Sequence, residues 1–174
     1  EILQNLQTQI QDDFPALTDT SYAIKYVPEA LESSLSPAFF LVPPIDSDGS
    51  NTIYINEKTS TEQNLYTMLA HEGYPGHLYQ TVYSSLVCDT QTLPIRKLFS
   101  YGGYVEGWAY YTERISYEYA AQVLAEAEGS LGSSYPTALL CTLLAQQRDL
   151  QINLFCLLDL SLHYYGAEES ELLR

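Results

Sequence analysis

Apolar residues recur at Ile2, Leu3, Leu6 and Ile10, a three-to-four spacing that lays a stripe along one face of a helix. Pro15 follows, and from residue 21 to 27 the period changes to two, with Tyr22, Ile24 and Tyr26 alternating against smaller or polar neighbours, as in a half-buried strand. A second strand is expected over residues 38–42, stopped by Pro43 and Pro44, and a third over 52–55 after the turn cluster Asp46-Ser47-Asp48-Gly49-Ser50. Residues 39–55 thus read as a loop-connected antiparallel pair. Thr59 with Glu62 three residues on has the form of a capping box, and Leu65, Met68 and Leu69 follow at helical spacing. Pro75 must end or kink that helix, which resumes through Leu78, Val82, Leu86 and Val87. Residues 104–127 and 136–164 read as two more long helices, with Pro136 suited to a first helical turn. Strands first and long helices afterwards predict an α+β fold. It should be a mostly helical single domain over residues 1–174, with a small antiparallel or mixed sheet of about three strands beside the helix that carries His71.

Charge narrows the function classes. The chain carries 22 Asp+Glu against 7 Lys+Arg, for a net charge of -15, so it lacks the basic face that nucleic acid or an anionic membrane surface requires. No apolar run approaches the roughly 18 residues of a membrane span. A 46% hydrophobic fraction with 16 Tyr, 5 Phe and 1 Trp supplies enough burial to fold despite the charge. Cys88, Cys141 and Cys156 have no metal-ligand spacing and read as buried small hydrophobes. The chain opens at Glu1 inside a helical pattern, without Met or a signal-like segment, and is expected to be a piece of something longer.

Two of the three histidines flank the Pro-Gly break in His71-Glu72-Gly73-Tyr74-Pro75-Gly76-His77. Zinc peptidases commonly place two His four residues apart on one helix, where they share a face. Here the separation is six, which on an unbroken helix would leave the side chains about 120° apart around the axis and roughly 9 Å apart along it. A shared metal therefore requires the break, and a Gly76 free to adopt φ > 0 beside Pro75 is the expected means of folding His77 back toward His71. Glu106, near the start of the next long helix, is the candidate third ligand. Two imidazoles and a carboxylate are the donor set of catalytic zinc. Glu72 would stand beside the metal as general base, taking a proton from the activated water and passing it to the leaving amine.

These residues resemble the bacterial domain-of-unknown-function 885 family, a zincin-like group with a His-Glu-x-x-Pro-Gly-His motif and a downstream Glu-Gly-Trp-Ala motif. They stand here as residues 71–77 and as Glu106-Gly107-Trp108-Ala109. The stretches from Ser36-Pro37 through Pro43-Pro44 to Tyr54-Ile55-Asn56, and Asp159-Leu160-Ser161-Leu162-His163, are similar to the family too, with Ser161 where the family has Gly. The resemblance implies a zinc-dependent peptidase of gluzincin-like logic acting on peptides. It further implies that this chain is the C-terminal catalytic portion of a longer protein with an N-terminal helical region, placed in the cell envelope or secreted with a lipid anchor. If half of the substrate cleft belongs to that region, the fragment should expose an apolar patch where it docks.

In this reading His163 donates a hydrogen bond to the oxyanion of the tetrahedral intermediate. Asp159, four residues before it on one helix face, orients an imidazole. Glu113, seven residues after Glu106, is a candidate partner behind a ligand. Tyr104 and Tyr110 are candidate substrate or oxyanion donors, and the strand at 52–55, with Tyr54, is a candidate edge along which an extended peptide pairs. Two other readings stand beside the peptidase. One is a degenerate zincin that binds envelope peptides without cleaving them, the other a metal-free helical partner domain.

Overall fold

The computed structural model describes residues 1–17, 20–44, 50–88, 99–131 and 137–172. It divides into two compact units, residues 1–120 and 121–174. The fold is α+β, mostly helical with one small mixed sheet.

In the first unit, α1 (Ile2–Gln9) turns Leu3 and Leu6 inward, with Ile10 just beyond its end, as the apolar stripe requires. Three strands follow: β1 (Tyr22–Tyr26), β2 (Ala38–Leu41) and β3 (Asn51–Ile55), in the order β1-β3-β2. Strand β2 pairs antiparallel to β3 with Phe40 opposite Ile53, and β1 pairs parallel to β3 with Ile24 opposite Ile53. Ile53 is therefore the hub of the sheet and is fully buried. This order corrects the expected edge: β3 lies in the middle, both its sides carry ladder hydrogen bonds, and it has no free side for a peptide. Among the described residues, β1 and β2 are the outer strands. Asn56, buried just after β3, donates from its amide to the carbonyls of Glu32 (2.8 Å) and Leu35 (3.0 Å), anchoring the β1–β2 connection.

Helix α2 (Glu62–Glu72) begins two residues later than its expected cap. Thr61, in extended conformation, is the N-cap, and the capping box is completed by Asn64, whose Oδ1 accepts the Thr61 N–H at 2.9 Å, rather than by Thr59 and Glu62. Helix α3 (His77–Cys88) starts after the Gly73–Gly76 turn, which contains a cis Tyr74–Pro75 bond. Leu3, Leu6, Ile10, Phe40, Ile53, Leu69, Tyr74, Leu78 and Tyr119 form the core of this unit. Helix α4 (Gly102–Leu131) contributes Ala109, Thr112, Glu113, Ser116 and Tyr119 to the buried set, and the division between units falls within it.

The second unit holds the end of α4, α5 (Thr137–His163) and the short α6 (Glu169–Leu172). Cys141 and Ala145 are buried there, whereas Leu143, Leu150, Leu154, Phe155 and Leu157 are exposed. Cys156 is exposed as well, which corrects its assignment to the core, because it falls on the solvent-facing part of α5. The side chain of Cys88, the turn cluster at 46–49 and Pro136 lie outside the described residues.

Candidate metal centre

Helix α2 delivers His71 and Glu72 in its last turn, and the break at Tyr74–Gly76 returns the chain so that α3 opens on His77. Among the described residues the only glycine at positive φ is Gly166, so the turn does not work through a left-handed Gly76. The reason is steric. A Cβ at Gly76 would collide with the backbone carbonyls of Ala70 and His71, so only a bare backbone fits against the end of α2. The two imidazoles meet edge to face with ring centroids 4.9 Å apart.

Glu106, in the first turns of α4, faces both rings. Its Oε2 lies 3.6 Å from His71 Nε2 and its Oε1 3.7 Å from His77 Nε2. These separations are too long for hydrogen bonds. They lie close to the ~3.3–3.5 Å that separates ligand atoms when bonds of about 2.0–2.2 Å meet at tetrahedral angles. Chemistry and spacing together fit zinc, and His71, His77 and Glu106 could hold it. Glu72 competes for the same place, since one ligand atom each from His71, Glu72 and His77 also falls within 4.8 Å of the others. Its Oε1, however, stands 3.9 Å from His71 Nε2, and its Oε2 accepts the Phe40 N–H of β2 at 2.8 Å. Glu106, 66% exposed and able to adjust, is thus the candidate third ligand, with Glu72 beside the site.

Behind His71, Glu113 is 8% exposed and its Oε2 lies 3.0 Å from Nδ1. A carboxylate can only accept, so Nδ1 carries the proton, and in the neutral ring Nε2 presents its lone pair toward Glu106 and His77. Burial lowers the His71 pKa, but the Glu113 hydrogen bond and the charges of Glu72, Glu113 and Glu106 outweigh it and leave the pKa above the usual imidazole value. Burial raises the Glu72 carboxyl, against the opposing pull of His71 and of the Phe40 N–H. Burial and the neighbouring His71 lower His77.

Two contacts at this site carry no sequence signature of their own. The Phe40 N–H pins Glu72 through backbone geometry alone. Trp108 Nε1–H donates to the Pro75 carbonyl at 2.8 Å and ties α4, which carries Glu106 and Glu113, to the turn that sets His77. Only its place inside the Glu-Gly-Trp-Ala motif could have pointed to Trp108.

The other candidates are placed differently. Tyr104 is exposed at the start of α4, and Tyr110 is half-buried on the same helix. Tyr54 is half-buried on β3 and stacks on Phe39 with centroids 5.1 Å apart. Asp159 and His163 belong to the second unit, where Oδ1 and Nε2 approach to 3.6 Å and the side chains are 72% and 76% exposed.

An α+β domain whose helix–turn–helix converges two histidines on a glutamate defines the class. The chain belongs to the DUF885 family, bacterial proteins of unknown function, whose sequence profile matches residues 1–163. Among solved structures it is similar to a putative lipoprotein from Colwellia psychrerythraea, with 22% identity and a TM-score of 0.71. The match covers 98% of this chain and 27% of that one, so the chain spans about a quarter of its neighbour's length and the likeness is one of fold. No curated protein matches. Among the described residues, no helix is long and apolar enough to cross a membrane.

Proposed function

We propose that this chain is the catalytic region of a zinc-dependent peptidase. The observation that carries the reading is the convergence of His71 Nε2, His77 Nε2 and both Glu106 oxygens, with a second, backbone-pinned carboxylate at Glu72 beside them. Zinc held there would act as a Lewis acid, polarising a peptide carbonyl and making water nucleophilic near neutral pH. Glu113 fixes the tautomer and orientation of the His71 ring, and Trp108 holds the turn that aims His77. The Phe40 N–H occupies Oε2 of Glu72, so Oε1 is the atom that takes the proton of the attacking water and returns it to the departing amine. Peptide substrates fit a site beside the exposed Glu106 and close to β2, whose Phe40 N–H holds Glu72. On its likeness to the Colwellia protein, we place the whole protein at the cell envelope as a lipid-anchored enzyme.

The test is hydrolysis of a mixed peptide library by the whole protein. Glu72→Gln should retain zinc and lower kcat by about 10²–10⁴-fold. Stoichiometric zinc without cleavage of any peptide by the unsubstituted protein would contradict the peptidase and leave a binding module.

A further inference from the structure

Residues 1–15 contain none of the proposed metal-site residues, yet they are tied to each helix that carries one. Tyr66 of α2 donates to Asn5 Oδ1 (2.7 Å), Tyr79 of α3 to the Pro15 carbonyl (2.7 Å), and Tyr119 of α4 to Asp13. Those helices deliver, in the same order, His71, His77, and Glu106 with Glu113. One hydroxyl from every ligand-bearing helix therefore ends on a single continuous segment. Two apolar contacts reinforce it. Leu3 of α1 closes on Gly73 at the end of α2, where an added Cβ would stand 2.5 Å from Leu3 Cδ2 and 2.8 Å from the Leu69 carbonyl oxygen. Phe14 packs edge to face on Tyr79 (5.8 Å) and on Trp108 (5.9 Å), the ring whose Nε1–H holds the Pro75 carbonyl. The segment thus meets the metal turn at its start through Gly73 and at its middle through Trp108.

We propose, resting on the zinc reading of His71, His77 and Glu106, that residues 1–15 are a brace that preorganises the metal centre, with Tyr66, Tyr79 and Tyr119 as its positioning residues. Ligand atoms from three helices must reach one point to within about 0.2 Å, so any freedom of the helices relative to one another weakens the metal. A segment tied to all three removes that freedom before the ion arrives, which is how preorganisation raises affinity. None of the three tyrosines is a ligand, and each acts only through the placement of its helix. Coupling of this kind is reciprocal: a brace that tightens zinc is itself tightened by zinc to the same extent.

The experiment uses the whole protein and the double variant Asn5→Ala/Asp13→Ala, which unties α2 and α4 from the segment at a half-buried and an exposed position. Chelator competition should show zinc bound about five- to tenfold more weakly by the double variant, whereas Asp13→Asn, which keeps an acceptor for Tyr119, should retain the affinity. Hydrogen exchange followed by mass spectrometry supplies a readout that does not need the metal. In chelator, the double variant should exchange faster over residues 73–80, where the N–H groups of Gly73, Tyr79 and Gln80 close the turn, and not over α5. In the unsubstituted protein, zinc should slow exchange over residues 2–10, which hold no ligand. Equal zinc affinity in the double variant, or turn exchange that the substitutions leave unchanged, would overturn the brace and leave the metal centre standing. An unsubstituted protein that binds no zinc would refute the metal centre instead, and the exchange of residues 73–80 in chelator would still decide whether the segment braces the turn.

Discussion

Gly76 and Glu113 set the site from behind, one by having no side chain and the other by a single contact. Gly76→Ala would drive a Cβ into the Ala70 and His71 carbonyls, which are backbone atoms with little room to move. We expect a loss of about 3 kcal/mol or more in denaturant unfolding, and a loss near zero would show that the turn tolerates a side chain. Glu113→Ala removes the acceptor that fixes the His71 ring and should weaken zinc binding by roughly 10–100-fold in a chelator competition. Unchanged affinity would remove Glu113 from the account. At this scale much of the geometry was legible, because a six-residue His spacing makes no metal site without a break and Pro75 marks one. The manner of the break was not legible. Sequence suggests a glycine's freedom in φ, but whether Gly76 is needed for φ or for close approach depends on where two carbonyls of the preceding helix end up. For the same reason the Phe40 N–H left no trace, since every residue but proline has one.

At the level of elements, a period of two identifies strands but not their neighbours. The pattern at 21–27, 38–42 and 52–55 gave three strands and the antiparallel pair, yet the parallel insertion of β3 beside β1 depends on a long connection that periodicity does not encode. That is why β3 could be taken for an edge. Tyrosines then staple the elements together: Tyr66 donates to Asn5 Oδ1 on α1 (2.7 Å), Tyr79 to the Pro15 carbonyl (2.7 Å), and Tyr119 of α4 to Asp13. Burial raises Tyr66 from 10.0 to about 12, and raises Tyr22, Tyr74 and Tyr79; burial and then Asp13 raise Tyr119. The unfolded chain gives up these protons near pH 10.0 while the folded chain keeps them, so their stabilisation is complete below that pH and is lost as pH rises toward 12. A melting temperature that falls steeply between pH 10 and 12, alongside tyrosinate absorbance, is the expected outcome. A flat profile across that window would contradict it.

For the chain as a whole, the net charge is -15, and Glu72, Glu106 and Glu113 turn part of that surplus toward the proposed metal centre. We propose that the exposed leucines of α5 are covered by a further region of a longer protein, because the chain spans 27% of its structural neighbour. Nile red, a neutral dye that the acidic surface will not repel, should brighten strongly with this chain and much less with the whole protein. Equal brightening would mean that the face stays open. The central claim is the metal centre, and zinc content of the purified whole protein tests it most directly. The account predicts one zinc per chain, lost in His71→Ala, His77→Ala and Glu106→Ala and retained in Glu72→Gln. A protein that binds no zinc, or whose zinc is indifferent to those three alanine substitutions, would contradict it.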